Sequence, residues 1–557
     1  MVLWVVAVVT WRSALEADFV FDDVVRIVGE ERLIVAPWDS WDALVCGQRP
    51  LVQLTLGLNH SLGGLDPRGY HAFNVLVHAT AAVAAFAAVL CCIRRLQARR
   101  AIELPESAAF SCAFSIALLW SLHPLQTAAA TYVIQRAESM AGLFTLAAVV
   151  GLCCAARAVR AQPRRARAAA WGVATFVCCV LAIAAKPTAA AAPAILLAID
   201  AFVVAGSLRA ALRERWPLHV ALWSTTLALV PLGVVRGVLA GGAGNAGAGL
   251  RVAGTTPLHY ASMQVRAVGL YMGEVACPWL MSIDHGPEEL SAPWTAAVGG
   301  TTVVAVVLLS AFAFVRGRWW GVIPVFFALA LAPASSFVPL ADVAADHRMY
   351  LPLLAVVAAA VAACAAAWNR ARRHGDAAAR RARLAMTAIL LVLVACESFA
   401  TSVRNRAYAD PLVLWDEVIE RRPSHVRARV NRAAILMQRG RDEEAQRDLD
   451  VAGELRPQDP LLRLDWAVLE LRRGHADAAL ELLTLVEPAL RNSATLHGAI
   501  GESLRLLGRP CAAAASFRRA ADLAPGQPRW RVLEESSRSD CGADGAAQDP
   551  PAEGPGR

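Results

Sequence analysis

The sequence predicts an all-α protein, a polytopic helical membrane body followed by a soluble module of helical repeats. Composition predicts the body: 57% of the 557 residues are hydrophobic and only 18% are charged, and mean hydropathy is +0.45. Many apolar runs reach about 18 residues, enough to cross a bilayer as helix. Periodicity predicts the module. Gly440, Gly474 and Gly508 stand 34 residues apart. Ala445, Ala479 and Ala513 keep the same step, as do Pro423, Pro457 and, two periods later, Pro525.

Taken in order, spans are expected near 1–14, 71–93, 108–124, 139–157, 169–185, 188–205, 217–235, 295–315, 319–338, 350–368 and 384–401. The first is short, ends at Trp11-Arg12 and lacks a small-residue cleavage site, so it reads as an anchor. Arginine sets the orientation. Arg94, Arg95, Arg99 and Arg100 follow the second span, and Arg157, Arg160, Arg164, Arg165 and Arg167 the fourth. Arg209, Arg213 and Arg215 follow the sixth, Arg316 and Arg318 the eighth, and the run from Arg370 to Arg383 the tenth. All lie on one side if the N-terminus is cytoplasmic and 259–281 does not span. That stretch carries Gln264, Arg266 and Glu274, which suits an interfacial or re-entrant helix. About eleven spans with an external C-terminus result, and the net charge of +8 marks cytoplasmic loops rather than a nucleic-acid partner. The Ala/Arg/Val-rich composition, with Lys186 as sole lysine, points to a GC-rich bacterial genome. The expected location is the bacterial inner membrane, with the repeats in the periplasm or outside the cell.

The 13 cysteines fall largely in apolar runs, where they act as small apolar residues. No zinc spacing is present. Cys46 and Cys277 could meet outside the membrane, but nothing requires a disulfide.

The first external loop, 15–70, opens with Phe21-Asp22-Asp23 just past the first apolar segment. Adjacent carboxylates can divide a transfer reaction: one takes a proton from an incoming hydroxyl, the other orients it or binds a divalent cation. The dipeptide alone fits better a solvated pair capping a helix. Arg136 and Glu138 lie at the outer end of the fourth span, as a functional pair at membrane depth or as mutual ion partners. His123-Pro124 terminates a helix or offers a ligand. Lys186 snorkels or meets a lipid phosphate. Asp346, His347, Arg348 and Tyr350 form a dense polar group at an outer face, in which Arg348 can grip phosphate through a forked guanidinium and His347 adds a donor.

Several strings occur in a fixed order: FVFDD (19–23), RPL (49–51), LNHSLGGLDPRGYHAFNVLVH (58–78), LHPLQTAAATYVIQRAESMAGLF (122–144), KP (186–187) and DHRMYLP (346–352). This series resembles the transmembrane and tetratricopeptide repeat-containing O-mannosyltransferases and their bacterial relatives. The resemblance implies a GT-C-like body that transfers a hexose, mannose among the candidates, from a polyprenyl-phosphate carrier to hydroxyls of exported proteins. It implies catalysis by the acidic pair, with Asp22 as base and Asp23 as partner, and a donor site drawn from Arg136, Glu138, Lys186, His347 and Arg348. It names no certain cofactor beyond the lipid-phosphate sugar donor, and a divalent cation is compatible. A lipid-linked oligosaccharide transferase, or a scaffold in which only the repeats work, is the alternative. The early acidic loop disfavours the first, and the many spans disfavour the second.

The body is expected over 1–401, a linker or capping helix over 402–423, and tetratricopeptide repeats over 424–530. A period of 34 with small residues at fixed slots builds stacked helix pairs whose concave face binds peptide, here the acceptor. The Gly/Pro/Asp-rich tail from 536 to 557 is expected to be disordered.

Overall fold

A computed structural model describes all residues except 30–37, 39–43, 45–47, 159–164, 241–255, 525–526 and 545–557. Cys46, Pro525 and the tail beyond 544 therefore lie outside the described residues. The described chain is helical and carries no extended strand. It divides into two compact units, one of Met1–Asp23 with Ala36–Asp410, the other of Val24–Val35 with Pro411–Arg557.

In the first unit, seven described helices are long and apolar enough to cross a membrane: Pro67–Ala98, Val133–Arg157, Ala166–Ala185, Pro187–Val204, Pro293–Val315, Pro352–Arg373 and Asp376–Ala407. The pair Glu106–Leu122 and Pro124–Ala130, bent by 57°, makes an eighth if it is one span. The other three expected spans are shorter or broken. Val2–Thr10 has 9 residues, about 14 Å of helix. Leu208–Ser224 leaves helical geometry at Arg215 and contains Pro217, which removes a backbone donor and crowds the preceding turn. Trp319–Leu331 is a short apolar helix. The stretch expected to be interfacial is helix Pro257–Ala276, with Gln264 and Glu274 buried.

Local chemistry starts and stops these helices. Proline occupies the first turn at Pro50, Pro67, Pro257, Pro293 and Pro352, where its missing N–H would have no intrahelical partner. Asp66 and Thr256 cap two of these ends by accepting from Arg68 and His259 N–H. Two of the orienting arginines bond carbonyls of neighbouring helices, Arg95 to Cys153 and Arg99 to Phe202 and Val203. Arg215 is not a solvated loop charge. It is buried and clamps Asp200 at 2.8 and 2.7 Å, with His219 on the same carboxylate.

Buried aromatic and polar residues lock neighbouring ends of the helices together. Trp11 donates to the Ser121 carbonyl at 3.0 Å, and Trp120 donates to that of Tyr350 at 2.7 Å. His78 bridges Tyr350 and Ser121 at 2.9 Å each. Along the segment from Ser13 to Asp18, Thr131 donates to Asn405 at 2.6 Å, Asn405 reaches Ser13 at 3.4 Å, and Asp18 N–H meets the Tyr408 carbonyl at 3.0 Å.

In the second unit, helices Val426–Gln438 and Asp442–Leu455, Pro460–Arg472 and Ala476–Leu490, and Ala494–Leu506 and Pro510–Leu523 follow Pro411–Arg421. The glycines that mark the period end the first helix of each pair with φ of +72°, +84° and +69°, a conformation that favours glycine. Ala445, Ala479 and Ala513 are fully buried, so the small positions lie where helices approach. Two findings differ from expectation. The last span continues as helix through Ala407, six residues into the expected linker. Helix Pro528–Asp544 runs through the first part of the expected disordered tail and is tied back by a Cys511–Cys541 disulfide.

Candidate functional site

Asp22 and Asp23 lie in opposite surroundings. Phe21 adopts φ +49°, an uncommon conformation for a bulky residue that turns the chain sharply before the pair. Asp23 points inward and is fully buried. Its carboxyl accepts from Ile134 N–H at 2.7 Å, Val133 at 3.2 Å and Val20 at 3.4 Å. Burial pushes its pKa up to about 8, against those three donors, and the neighbouring Asp22 adds to the rise. Asp22 is exposed. Its N–H donates to the Tyr132 hydroxyl at 3.0 Å.

The side of the pair bearing Asp22 opens on a cavity also lined by Tyr132, Gln135, Ser282, Asp346 and His347. Residues more than three hundred positions apart in sequence thus share one space. The short helical turn Asp346–Met349 supplies its far wall. His347 is held well below the usual imidazole range by burial, with Lys186, Arg348 and Arg49 acting in the same direction, so it is neutral at pH 7.

The next residue, Arg348, lines a second cavity together with Glu138, Thr145, Thr188 and Leu351. Its guanidinium donates to the Val343 and Asp342 carbonyls at 2.9 and 2.5 Å. Glu138 accepts from Lys186 at 2.6 Å, both side chains being mostly buried. Arg49 belongs to the same basic group: its charge acts on both Lys186 and His347. The RPL string contains Arg49, but its spacing from Lys186 and Arg348 gives no sign that they meet.

Arg136 lies elsewhere. It is fully buried, donates to Asn59 at 2.7 Å and the Tyr70 carbonyl at 3.2 Å, and packs over the Phe73 ring at 4.7 Å. It does not pair with Glu138, because residues two apart on a helix face different ways. His123 bonds the Leu125 N–H and the Val275 carbonyl, which is helix termination and interhelix contact.

An apolar groove along the membrane helices lies near the Arg348 cavity: Leu351 borders the cavity, and Leu354, about one turn on, borders the groove. On helix Pro352–Arg372, Leu354, Ala358, Val361, Ala365 and Asn369 line it, a stripe at helical spacing about 22 Å long. Ile195 borders the Arg348 cavity, and Ile199 and Val203 on the same chain segment border the groove. The groove encloses about 390 Å³.

Beside the Asp22 cavity stands a group the sequence reading missed: Glu274, His285 and Asp346, all buried, with one potential metal-ligating atom of each within 4.8 Å of the others. His285 bonds Asp346 through Nε2 and Glu289 through Nδ1. Burial raises Glu274 to about 8, with Asp346 adding to the rise. An Asp-His followed four residues later by Glu, at 284–289, was the available sequence signal, and it is too short to stand out.

No family model matches the chain. It is 28% identical over 206 residues to Protein O-mannosyl-transferase TMTC2 of Mus musculus, covering 35% of this chain and 23% of that protein. It is 30% identical over 174 residues to Protein O-mannosyl-transferase TMTC4 of Homo sapiens, covering 28% and 23% respectively. It is 31% identical over 163 residues to Protein O-mannosyl-transferase Tmtc3 of Drosophila melanogaster, covering 26% and 18%. The matches thus span about a quarter of the length of these relatives or less, and the chain is similar to O-mannosyl-transferases of this type.

Proposed function

We propose that this protein is a membrane glycosyltransferase that moves a hexose, mannose first among the candidates, from a polyprenyl-phosphate carrier to hydroxyl groups of exported proteins. The observation that carries the reading is the arrangement around Asp346–Met349. His347 faces the cavity of an exposed acid, Asp22, while Arg348 lines a second cavity that the charges of Lys186 and Arg49 act near, and the apolar groove begins about one turn further along the following helix. A lipid phosphate needs both a cationic pocket and an apolar channel, and a transfer reaction needs a base within reach of the sugar.

In this mechanism the lipid lies in the groove with its phosphate toward Arg348, Lys186 and Arg49. Asp22 takes the proton of the acceptor hydroxyl as its oxygen attacks the anomeric carbon. The bond from that carbon to the phosphate oxygen breaks, and the phosphate leaves with its added charge met by the cations. A single displacement inverts the anomeric carbon. Asp23 positions the loop rather than touching substrate, and neutral His347 donates to the sugar or the bridging oxygen. The C-terminal helices hold the acceptor. The Cys511–Cys541 disulfide supports their location in an oxidising compartment, and the body lies in the cytoplasmic membrane of a bacterium with its N-terminus inside.

The test is sugar transfer by purified protein in lipid, using radiolabelled polyprenyl-phosphate hexoses and a periplasmic extract as acceptor. Label entering protein with wild type, and not with a folded Asp22→Ala variant, is expected. No transfer from any donor by folded protein overturns the reading.

A further inference from the structure

We propose that Glu274, His285 and Asp346 form a binding site for one divalent transition-metal cation of the manganese or zinc class. Three facts point there. The potential ligand atoms already converge within 4.8 Å, and the three residues come from three separate segments of chain. Glu274 is fully buried, and its Oε2 has no hydrogen-bond partner, while its Oε1 lies 3.1 Å from His285 Nε2. The second imidazole nitrogen, Nδ1, faces Glu289. A carboxylate behind a histidine sets its tautomer and leaves Nε2 as the ligand.

Charge balance supports an ion. Three carboxylates, Glu274, Glu289 and Asp346, gather around one imidazole in a buried space, an excess of acidic groups that a bound cation would compensate. Glu274 also sits in the last turn of helix Pro257–Ala276, where the helix dipole disfavours a negative side chain and favours a positive ion. The donor set of one imidazole and at least two carboxylates suits manganese or zinc. Calcium and magnesium prefer all-oxygen sites. Ser282 N–H donates to the outer oxygen of Asp346 at 3.3 Å, which orients that carboxylate. An ion held there would brace the turn that carries His347 and Arg348.

The experiment uses the untagged full-length protein in lipid nanodiscs, stripped with EDTA and titrated with Mn²⁺ or Zn²⁺ alone, so it stands apart from sugar transfer. Calorimetry should show saturable binding of one ion per chain, and the melting temperature should rise with metal. Glu274→Gln and Asp346→Asn should each weaken binding by at least about 100-fold, and Glu289→Gln by about 10–100-fold, the usual loss for an outer partner. Stripped Glu274→Gln should melt close to stripped wild type, since glutamine keeps the size and shape of the side chain, yet lose the metal-induced rise. Should a variant fail to fold, pulsed EPR of Mn²⁺ on wild type should show coupling to one imidazole nitrogen. No saturable binding, undiminished binding in both folded ligand variants, or Mn²⁺ without nitrogen coupling overturns the proposal.

Discussion

Asp22 and Asp23 are chain neighbours whose environments divide their roles. The adjacent carboxylates are plain in the sequence, but which one faces the cavity depends on the turn at Phe21 and on the backbone donors of Val133 and Ile134. Replacing Asp22 with Asn should lower transfer by about 10²–10⁴-fold, the range of a general base, with an unchanged melting temperature. Asp23 should report in stability. Its folded pKa of about 8 exceeds its unfolded value, so it favours the folded state fully below about pH 4. That contribution falls as pH rises toward 8. Asp23→Asn resembles the protonated form and should flatten the melting temperature against pH over this window. An unchanged slope in Asp23→Asn would show that Asp23 is ionised throughout.

Among the elements, the turn Asp346–Met349 and the Lys186–Glu138 pair bring ends of the spans together. Arg348→Ala or Lys186→Ala should raise the apparent KM for lipid donor by about 10–100-fold, the loss of one or two charge-assisted bonds. A donor KM within twofold of wild type in both would remove these residues from the phosphate site. Helices Pro257–Ala276 and Pro293–Val315 touch backbone to backbone at Gly269 and Gly299, where a Cβ on Gly269 would meet the Gly299 nitrogen at 2.8 Å. Gly269→Val should force them apart and cost about 1–3 kcal/mol, measured as a lower midpoint of thermal or denaturant unfolding. The helices and their ends were legible from proline, capping residues and apolar length. The broken segment around Pro217 was less so: the apolar run reads as continuous, while helical geometry is lost at Arg215 beside Asp200.

At the scale of the whole molecule, a membrane body and a set of 34-residue helical pairs share one chain. Deleting 411–557 should reduce transfer to protein acceptors more than transfer to a short hydroxyl peptide at high concentration, if these pairs gather the acceptor. Equal loss with both would place part of the reaction machinery in the deleted segment. Reducing the Cys511–Cys541 disulfide should lower the stability of the C-terminal unit by about 3–4 kcal/mol, from the restored freedom of the 30-residue loop it closes.

The sequence alone determined the class, because apolar length and arginine placement are set by the bilayer and need no tertiary contact. It determined the period as well, since a glycine with positive φ must recur wherever the same turn recurs. It located Asp22, Lys186, His347 and Arg348 as candidates, since each is a polar residue near a membrane boundary. Only the tertiary structure decided their company. It buried Asp23 on backbone donors, drew Glu138 to Lys186 instead of Arg136, added Arg49 to the basic group, and gathered Glu274, His285 and Asp346. It also joined Cys511 to Cys541. Partners this far apart in sequence leave no local periodicity or spacing, and the packing of the helices alone brings them together.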